Sequence, residues 1–547
     1  MGLFKEVKKP VIKTTLASAG EISPLRPVFA AKSAPCVSNC PNGNQIRDVL
    51  VMIAQAKDYG LTTEQAFERA WNCIVERNPL PATTARICPH FCEAACNRST
   101  KDGSVAFHAI ERMLGDFGIA RNLRLPCIPG QIRTEKVAVV GAGPAALSCA
   151  YQLARRGYGV TIFESFALPG GMLRYGIPAS RLQREILDVE IAKILALGIE
   201  LRCNCRIGTD VSLEQLRRQY NAVFVGTGAW QGVALSVPGE NARNVMGALD
   251  FLQRFNGGET IETGKTVVIV GAGPTSIDVA CACKRLGAQV TLIGAEITAA
   301  DWQIAAVRSE GMHIEAPAVP LAILVKDGCA TGVRCTRLPA AAASQATSPE
   351  SRPSSASVEF DLEASLVIVA ANRAPHLRGL ETISNGNRWF RTDDWGQTGE
   401  RVFAGGDNTG LGSVTHAIAK GRVAAEAIDC QFRGLKPAKP ASAPVITPEK
   451  MKLEWYQPAP RQLETEMEEH HLEVTHEIGW SDDAVANEAK RCMSCGMCMD
   501  CEACWMYCTP NCFVRLPKGE HCRIKLELCN GCKKCAEACP TGYIELV

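Results

Sequence analysis

The stretch KVAVVGAGPAALSCAYQLARRGYGVTIFE, residues 136–164, decides how this chain folds. A run of small and β-branched residues enters a glycine turn, a helical apolar pattern follows, and a second β-branched run closes it: strand, turn, helix, strand. Gly141 stands where the tight turn needs a glycine, Gly143 where backbone must approach a pyrophosphate, and Ala146 where the helix packs on the strand. Glu164 ends the second strand, where a carboxylate can bind the hydroxyls of an adenosine ribose. A second copy, KTVVIVGAGPTSIDVACACKRLGAQVTLIGAE, occupies residues 265–296 with Gly271, Gly273 and Ser276 at the same places and Asp278 on the helix that follows. Two such units predict two dinucleotide-binding domains, each with phosphates at a helix N-terminus.

Working outward, 547 residues are too many for one core and predict three or four domains. The expected fold class is α/β: two Rossmann-like domains, an N-terminal α-helical domain over 1–130 and a C-terminal α+β ferredoxin-like domain over 491–547. The first nucleotide domain takes 131–262 and 395–435, the second is inserted at 263–394, and 436–490 forms a linker. QIRDVLVMIAQAKDYG and TTEQAFERAWNCIVERN carry apolar residues three and four apart and predict helices, the second capped by Thr62 or Thr63. Residues 339–357 are an Ala/Ser/Pro low-complexity segment, read as an exposed loop. The balance of 59 Lys and Arg against 57 Asp and Glu supplies no global attraction to nucleic acid or an anionic membrane. No apolar run approaches the ~20 residues of a membrane span. The start MGLFKEVKKP has no signal-peptide pattern, and Glu6 stands where a myristoylation signal has Ser or Thr. A soluble, cytoplasmic protein is expected.

The 27 cysteines cluster at both ends of the chain, which favours metal ligation over a disulfide scaffold. Ten scattered ones, Cys281 and Cys283 among them, are expected to be small buried hydrophobes. CNGCKKCAEACP is the bacterial ferredoxin run, in which the fourth cysteine ligates the other cluster. The same spacing occurs upstream. One cluster is expected on Cys498, Cys501, Cys504 and Cys539, the other on Cys529, Cys532, Cys535 and Cys508. Cys492, Cys495, Cys512 and Cys522 are left over; a hairpin at LPKGEHC would bring Cys512 and Cys522 together, and the two pairs hold either a further metal, iron-sulfur or zinc, or nothing. At the other end Cys36, Cys40, Cys88, Cys92 and Cys96 are spaced to place thiolates on one side of a helical turn, converging on one centre that is iron-sulfur or zinc.

LPGGMLRYGIPASRL, AVFVGTGA at 222–229 and RVFAGGDNTGLGSVTHAIAKGRVAA at 401–425 resemble the small subunit of glutamate synthase and its relatives, over roughly residues 30–430. That resemblance implies FAD on the first unit, with Gly141, Gly143 and Glu164 at its ADP half, Gly170 and Gly171 near the flavin and Asp407 on the ribityl chain. It implies that the helix after Ser413 points its positive end at the flavin ring. The nicotinamide cofactor falls to the second unit. There TLIGAE places Ala295 and Glu296 where NADPH users carry arginines, so NADH is expected rather than NADPH, with Glu296 accepting from a free ribose hydroxyl. Two departures are Pro274, where relatives have Asn, and the run VAANRAP. The resemblance also implies [4Fe-4S] chemistry at the N-terminal cysteines. The leading CxxC of the family's first cluster is absent, so one N-terminal cluster is expected, on Cys40, Cys88 and Cys92 with Cys36, Cys96 or Glu111 as fourth ligand.

A nicotinamide site, a flavin and three [4Fe-4S] clusters describe an electron conduit, and no acid-base dyad or nucleophile is visible. With its ferredoxin tail the chain resembles the DsrL-type iron-sulfur flavoproteins of dissimilatory sulfur oxidation, which implies a sirohaem sulfite reductase as redox partner. It also resembles the electron-transfer subunits of 2-oxoacid and aromatic-glyoxylate oxidoreductases, which implies NAD+ reduction instead. The reading from another class is a nucleotide-binding redox sensor or scaffold. A homodimer is compatible with each. Trp505, Met506 and Tyr507 are read as either a docking face or ordinary packing beside a cluster.

Overall fold

A computed structural model describes residues 23–130, 132–299, 301–338, 358–371, 373–384, 388–439, 443–462, 480–517 and 519–547. The chain start, with its Glu6, and the 339–357 segment lie outside the described residues. The chain divides into two compact units, one of Met1–Pro126, Ala438–Thr465 and Ile478–Val547, the other of Cys127–Pro437 with Glu466–Glu477. The two cysteine-rich ends, read from sequence as separate domains, therefore belong to one unit.

In the nucleotide-binding unit, the opening stretch forms strand Lys136–Val140, helix Pro144–Ala154 and strand Gly159–Phe163. These strands lie in a six-stranded sheet whose order from one edge is Gln397–Gly399, Val402–Ala404, Ala222–Val225, Lys136–Val140, Gly159–Phe163 and Glu200–Arg202. All pairings are parallel except the first. The central strands are buried on both faces, as crossover helices require. Helix Val414–Phe432 packs on Pro144–Ala154 so closely that a Cβ at Gly421 would overlap the Ala145 carbonyl.

The second sheet is wholly parallel, in the order His313–Glu315, Gln289–Ile293, Thr266–Val270, Leu366–Val369, Val245–Gly247. Its last strand corrects the 263–394 boundary. Val245–Gly247 pairs with Leu366–Val369, and helix Ala248–Asn256 buries Phe251 and Leu252 in this second core. Leu380, Ile383 and Phe390 pack instead in the core of the first sheet. The glycine fingerprint marks the central strand of a Rossmann sheet, and this edge strand precedes it without a motif of its own. An antiparallel flap of Ala318–Lys326, Cys329–Arg337 and Glu359–Glu363 completes the inserted domain.

In the cysteine-rich unit the predicted helices are Ile46–Ala54 and Thr63–Val75. Thr62, not Thr63, is the N-cap, in a reciprocal capping box with Gln65. The two ends of the chain join through a sheet: Pro27–Phe29 pairs antiparallel with Ile544–Leu546. Lys32, almost fully buried, ties the same ends by donating to the Gly542 carbonyl at 2.6 Å and pairing with Glu545 at 2.8 Å. No described helix is long and apolar enough to cross a membrane.

Candidate functional site

The turn after Lys136–Val140 opens a cleft of about 560 Å³ lined by Gly141, Gly143, Glu164, Gly171, Arg373, Asp407 and the Gly412–Val414 helix entry, among others. Gly141 has φ +95°, and a Cβ there would lie 2.6 Å from the Gly226 carbonyl oxygen. Gly171 has φ +52°, and its Cβ would lie 2.7 Å from the Gly143 Cα. Two backbone segments thus meet with room for no side chain, a cradle suited to a pyrophosphate. Gly170 braces it through its N–H to the Ala142 carbonyl at 2.9 Å. Ala146 is fully buried and does not line the cleft; it provides the helix-on-strand contact. Glu164 is buried and accepts from the Ala142 N–H at 2.7 Å and the Phe166 N–H at 2.8 Å, which fixes its carboxylate at the strand end.

Across the cleft, Asp407 accepts from the Gly412 N–H at 3.2 Å and faces Arg373 at 3.5 Å. Burial pushes its carboxyl above the ordinary value, against the pull of Arg373. Lys420 donates to the carbonyls of Gly406 and Gly410, holding the Gly-Gly-Asp turn in shape. Ser413 caps Val414–Phe432 in a capping box with His416, so the helix opens at the cleft wall. The sequence reading missed Arg373 as a cleft residue; its signal was the departure of VAANRAP from the family run. These residues fit an FAD.

The second fingerprint builds a similar turn. Gly271 has φ +136°, and a Cβ there would come within 2.8 Å of the Ala370 carbonyl oxygen. Gly273 caps helix Pro274–Arg285. The Ser276 hydroxyl is buried at the turn with no hydrogen-bond partner in the structure, a polar atom a phosphate oxygen would satisfy. Asp278 is taken up by Arg181, which donates to both its oxygens at 2.7 and 2.8 Å, a tie between the two nucleotide domains. Glu296 is exposed beyond the second strand.

The cysteines of the two chain ends have one another as neighbours. Cys40 and Cys92 neighbour Glu111, and Cys92 neighbours Cys88 and Cys40. Buried Glu111 accepts from Asn78 at 3.2 Å. Cys36 and Cys96 have Cys492 and Cys495 as thiol neighbours, while Cys92 shares a cavity wall with them. Cys40 lies beyond the C-terminus of the short helix Pro35–Asn39 in extended backbone, and Cys96 lies beyond that of Phe91–Ala94, so these three-residue gaps do not run within one helix. Cys36 is pushed well up by burial and then by the neighbouring thiols of Cys492, Cys495 and Cys96.

In the ferredoxin segment Cys501 neighbours Cys539, and Cys535 neighbours Cys508 and Cys532. Cys508, Cys529, Cys532 and Cys535 line one small cavity. Of the two readings for Cys492, Cys495, Cys512 and Cys522, a metal shared by both pairs has no matching grouping of thiols: Cys492 and Cys495 neighbour Cys96 and Cys36, away from Cys512 and Cys522. Strands Phe513–Arg515 and Cys522–Ile524 do make a hairpin, but its register sets Cys522 opposite Arg515, while the Cys512 carbonyl accepts from Lys525. Cys522 lies against Cys504, and Cys512 against Cys508 and Cys529. Trp505 is covered by the Arg515 guanidinium at 4.8 Å, and Tyr507 is exposed. Of the scattered cysteines Cys149, Cys281, Cys283 and Cys335 are buried, whereas Cys127 is exposed.

Comparison with known proteins gives three family matches. Residues 135–421 match the pyridine nucleotide-disulphide oxidoreductase family, 26–123 the 4Fe-4S cluster domain II of dihydropyrimidine dehydrogenase, and 523–545 a 4Fe-4S binding domain. The chain is 35% identical over 360 residues to the NADPH-Fe(3+) oxidoreductase subunit beta of Geobacter sulfurreducens, covering 63% of this chain and 52% of that one. It is 34% identical to the NADP(+)-dependent formate dehydrogenase subunit beta of Moorella thermoacetica, covering 73% and 60%. It is 32% identical to the NAD-dependent dihydropyrimidine dehydrogenase subunit PreT of Salmonella typhimurium, covering 72% and 90%. The chain thus spans about half the length of the first of these relatives.

Proposed function

The chain belongs to the pyridine nucleotide-disulphide oxidoreductase family, among the iron-sulfur flavoproteins like the small subunit of glutamate synthase, and from that premise we propose that it is an NADH:acceptor oxidoreductase. It exchanges electrons between NADH, FAD and three [4Fe-4S] clusters and a separate redox enzyme. One observation carries this reading: Gly141, Gly143, Glu164 and Asp407 line a single cleft, and a second glycine turn with the unpartnered Ser276 hydroxyl is built in the same unit. A bound flavin supplies the exchange of a hydride for single electrons. The protein's part is positional. The glycine cradle admits the pyrophosphate, Glu164 orients the ribose, Asp407 and the Ser413 helix entry meet the far half, and Arg373 balances the buried Asp407 charge.

NADH is favoured over NADPH by Glu296, which offers a carboxylate to a ribose hydroxyl and repels a 2′-phosphate. Of the relatives, two bear names that specify NADPH or NADP(+) and one NAD, so the names give no common preference and the reading rests on Glu296. All three are named as subunits, which supports a partner enzyme. We place that partner in the class of dissimilatory sulfite reductases. Anaerobic affinity isolation of the native protein, with mass spectrometry of what stays bound, tests this. Sulfite reductase subunits are the expected result; thiamine-dependent oxidoreductase subunits would overturn the choice of partner and make the chain an NAD+-reducing outlet.

A further inference from the structure

The two cysteines of the C-terminal segment that precede the ferredoxin run, Cys492 and Cys495, line one cavity of about 30 Å³ together with Cys36 and Cys96 from the far end of the chain. Ile46, Leu50, Val105 and Phe107 give it apolar walls, and Arg47 and Arg98 line it as well. Cys92 also reaches this wall, but its thiol neighbours are Cys88 and Cys40. Within the group, Cys36 has Cys492, Cys495 and Cys96 as neighbours, and Cys495 has Cys492 and Cys96.

The backbone of the Cys492–Cys495 loop matches the two ferredoxin loops of the same unit. In each, the residue before the second cysteine and the residue after it have positive φ: Ser494 at 49° and Gly496 at 75°, Asp500 at 54° and Glu502 at 59°, Gly531 at 74° and Lys533 at 65°. That alternation turns successive N–H groups inward and makes an anion-binding nest. Ser494 N–H points to the Cys492 sulfur at 3.4 Å, as Gly531 N–H does to the Cys529 sulfur at 3.4 Å. A buried ion-pair network clamps the two contributing segments. Arg98, two residues after Cys96, donates to the Arg491 carbonyl at 2.5 Å. The Arg491 side chain, 2% exposed, donates to the carbonyls of Asp102, Gly103 and Ser104 and pairs with Glu488 at 2.7 Å. Arg47 and Arg98 bring positive charge to Cys492. Buried Tyr456 packs with Met493, Met499, Cys495 and Cys501, so the group adjoins the first ferredoxin site.

We infer that Cys36, Cys96, Cys492 and Cys495 together ligate a fourth [4Fe-4S] cluster, assembled only when the two ends of the chain meet. The adjoining N-terminal cluster then takes Cys40, Cys88, Cys92 and Glu111. This site extends the electron-conduit reading and rests on it for its purpose. Its test needs neither NADH nor acceptor, so failure here differs from failure of electron transfer.

The test is iron, sulfide and zinc per FAD in the full-length holoprotein prepared anaerobically, with native mass spectrometry. The wild type and the double variants Cys492→Ser/Cys495→Ser and Cys36→Ser/Cys96→Ser are compared. Each variant loses about four irons and four sulfides per chain, seen as the mass of one [4Fe-4S] unit, while FAD content is unchanged. Equal iron in variant and wild type, or loss of a single zinc instead, overturns the assignment. Should both variants fail to fold, the wild type decides: about sixteen irons per FAD support the fourth cluster, and about twelve, or a bound zinc, refute it.

Discussion

Gly171 carries more of the flavin site than its composition suggests. Its φ is +52° and an added Cβ would stand 2.7 Å from the Gly143 Cα, whereas a Cβ on Gly143 itself meets nothing nearer than 4.0 Å. Gly171→Ala therefore strains one segment and pushes the cradle apart, at about 1–3 kcal/mol for the backbone alone. The expected outcome is at least a tenfold loss of FAD affinity, corresponding to about 1.4 kcal/mol, read from the flavin released on denaturation after dialysis. Retention of wild-type flavin would show that the segment can yield. At this scale much of the site was legible. Gly141, Gly143, Glu164, Gly271 and Gly273 declare themselves because a turn, a close approach and a terminal acid each demand one residue type at one spacing. Arg373 and Lys420 were not, since a cation beside a buried carboxylate can come from any element that folds there. That Cys36 and Cys96 neighbour Cys492 and Cys495 was equally hidden: it depends on where two short helices end.

Among the elements, the clamp around Arg491 couples the chain ends most directly. Glu488 is fully buried and takes its N–H partners from Ala106 and Gln462 at 2.7 and 2.8 Å. Arg98 and Arg491 both meet Asp102, whose carboxyl burial would raise but whose hydrogen bonds from Arg98 and Ala459 and neighbouring arginine charges hold at about 2. Arg491→Met leaves Glu488 buried without its cation and is expected to destabilise the cysteine-rich unit by about 3–5 kcal/mol. Thermal loss of the cluster absorbance measures it. Adding Glu488→Leu should restore part of the loss, because the uncompensated charge is removed with it; no recovery would mean that the network acts through its carbonyl contacts instead. Sequence reading reached the elements wherever periodicity spoke, as in Ile46–Ala54, Thr63–Val75 and the two Rossmann units. It stopped at Val245–Gly247, a three-residue edge strand with no motif, and so set the inserted domain's start too late.

For the whole molecule, the division of labour follows the two units. One holds both dinucleotide turns; the other gathers the cysteines of both chain ends. Pairing of Pro27–Phe29 with Ile544–Leu546 makes the ferredoxin segment part of the same body as the N-terminal helices. No local pattern could announce this, because register between strands at opposite ends of a chain is a product of the folded unit. The central claim is that hydride taken from NADH leaves as single electrons on the clusters. The most direct measurement is an anaerobic titration of the holoprotein with NADH and, separately, NADPH, following flavin absorbance and the electron paramagnetic resonance of reduced [4Fe-4S] clusters. The account predicts flavin bleaching with reduced-cluster signals appearing in step, at lower concentrations of NADH than of NADPH. Bleached flavin with clusters that stay oxidised, or no bleaching by either nucleotide, would contradict it.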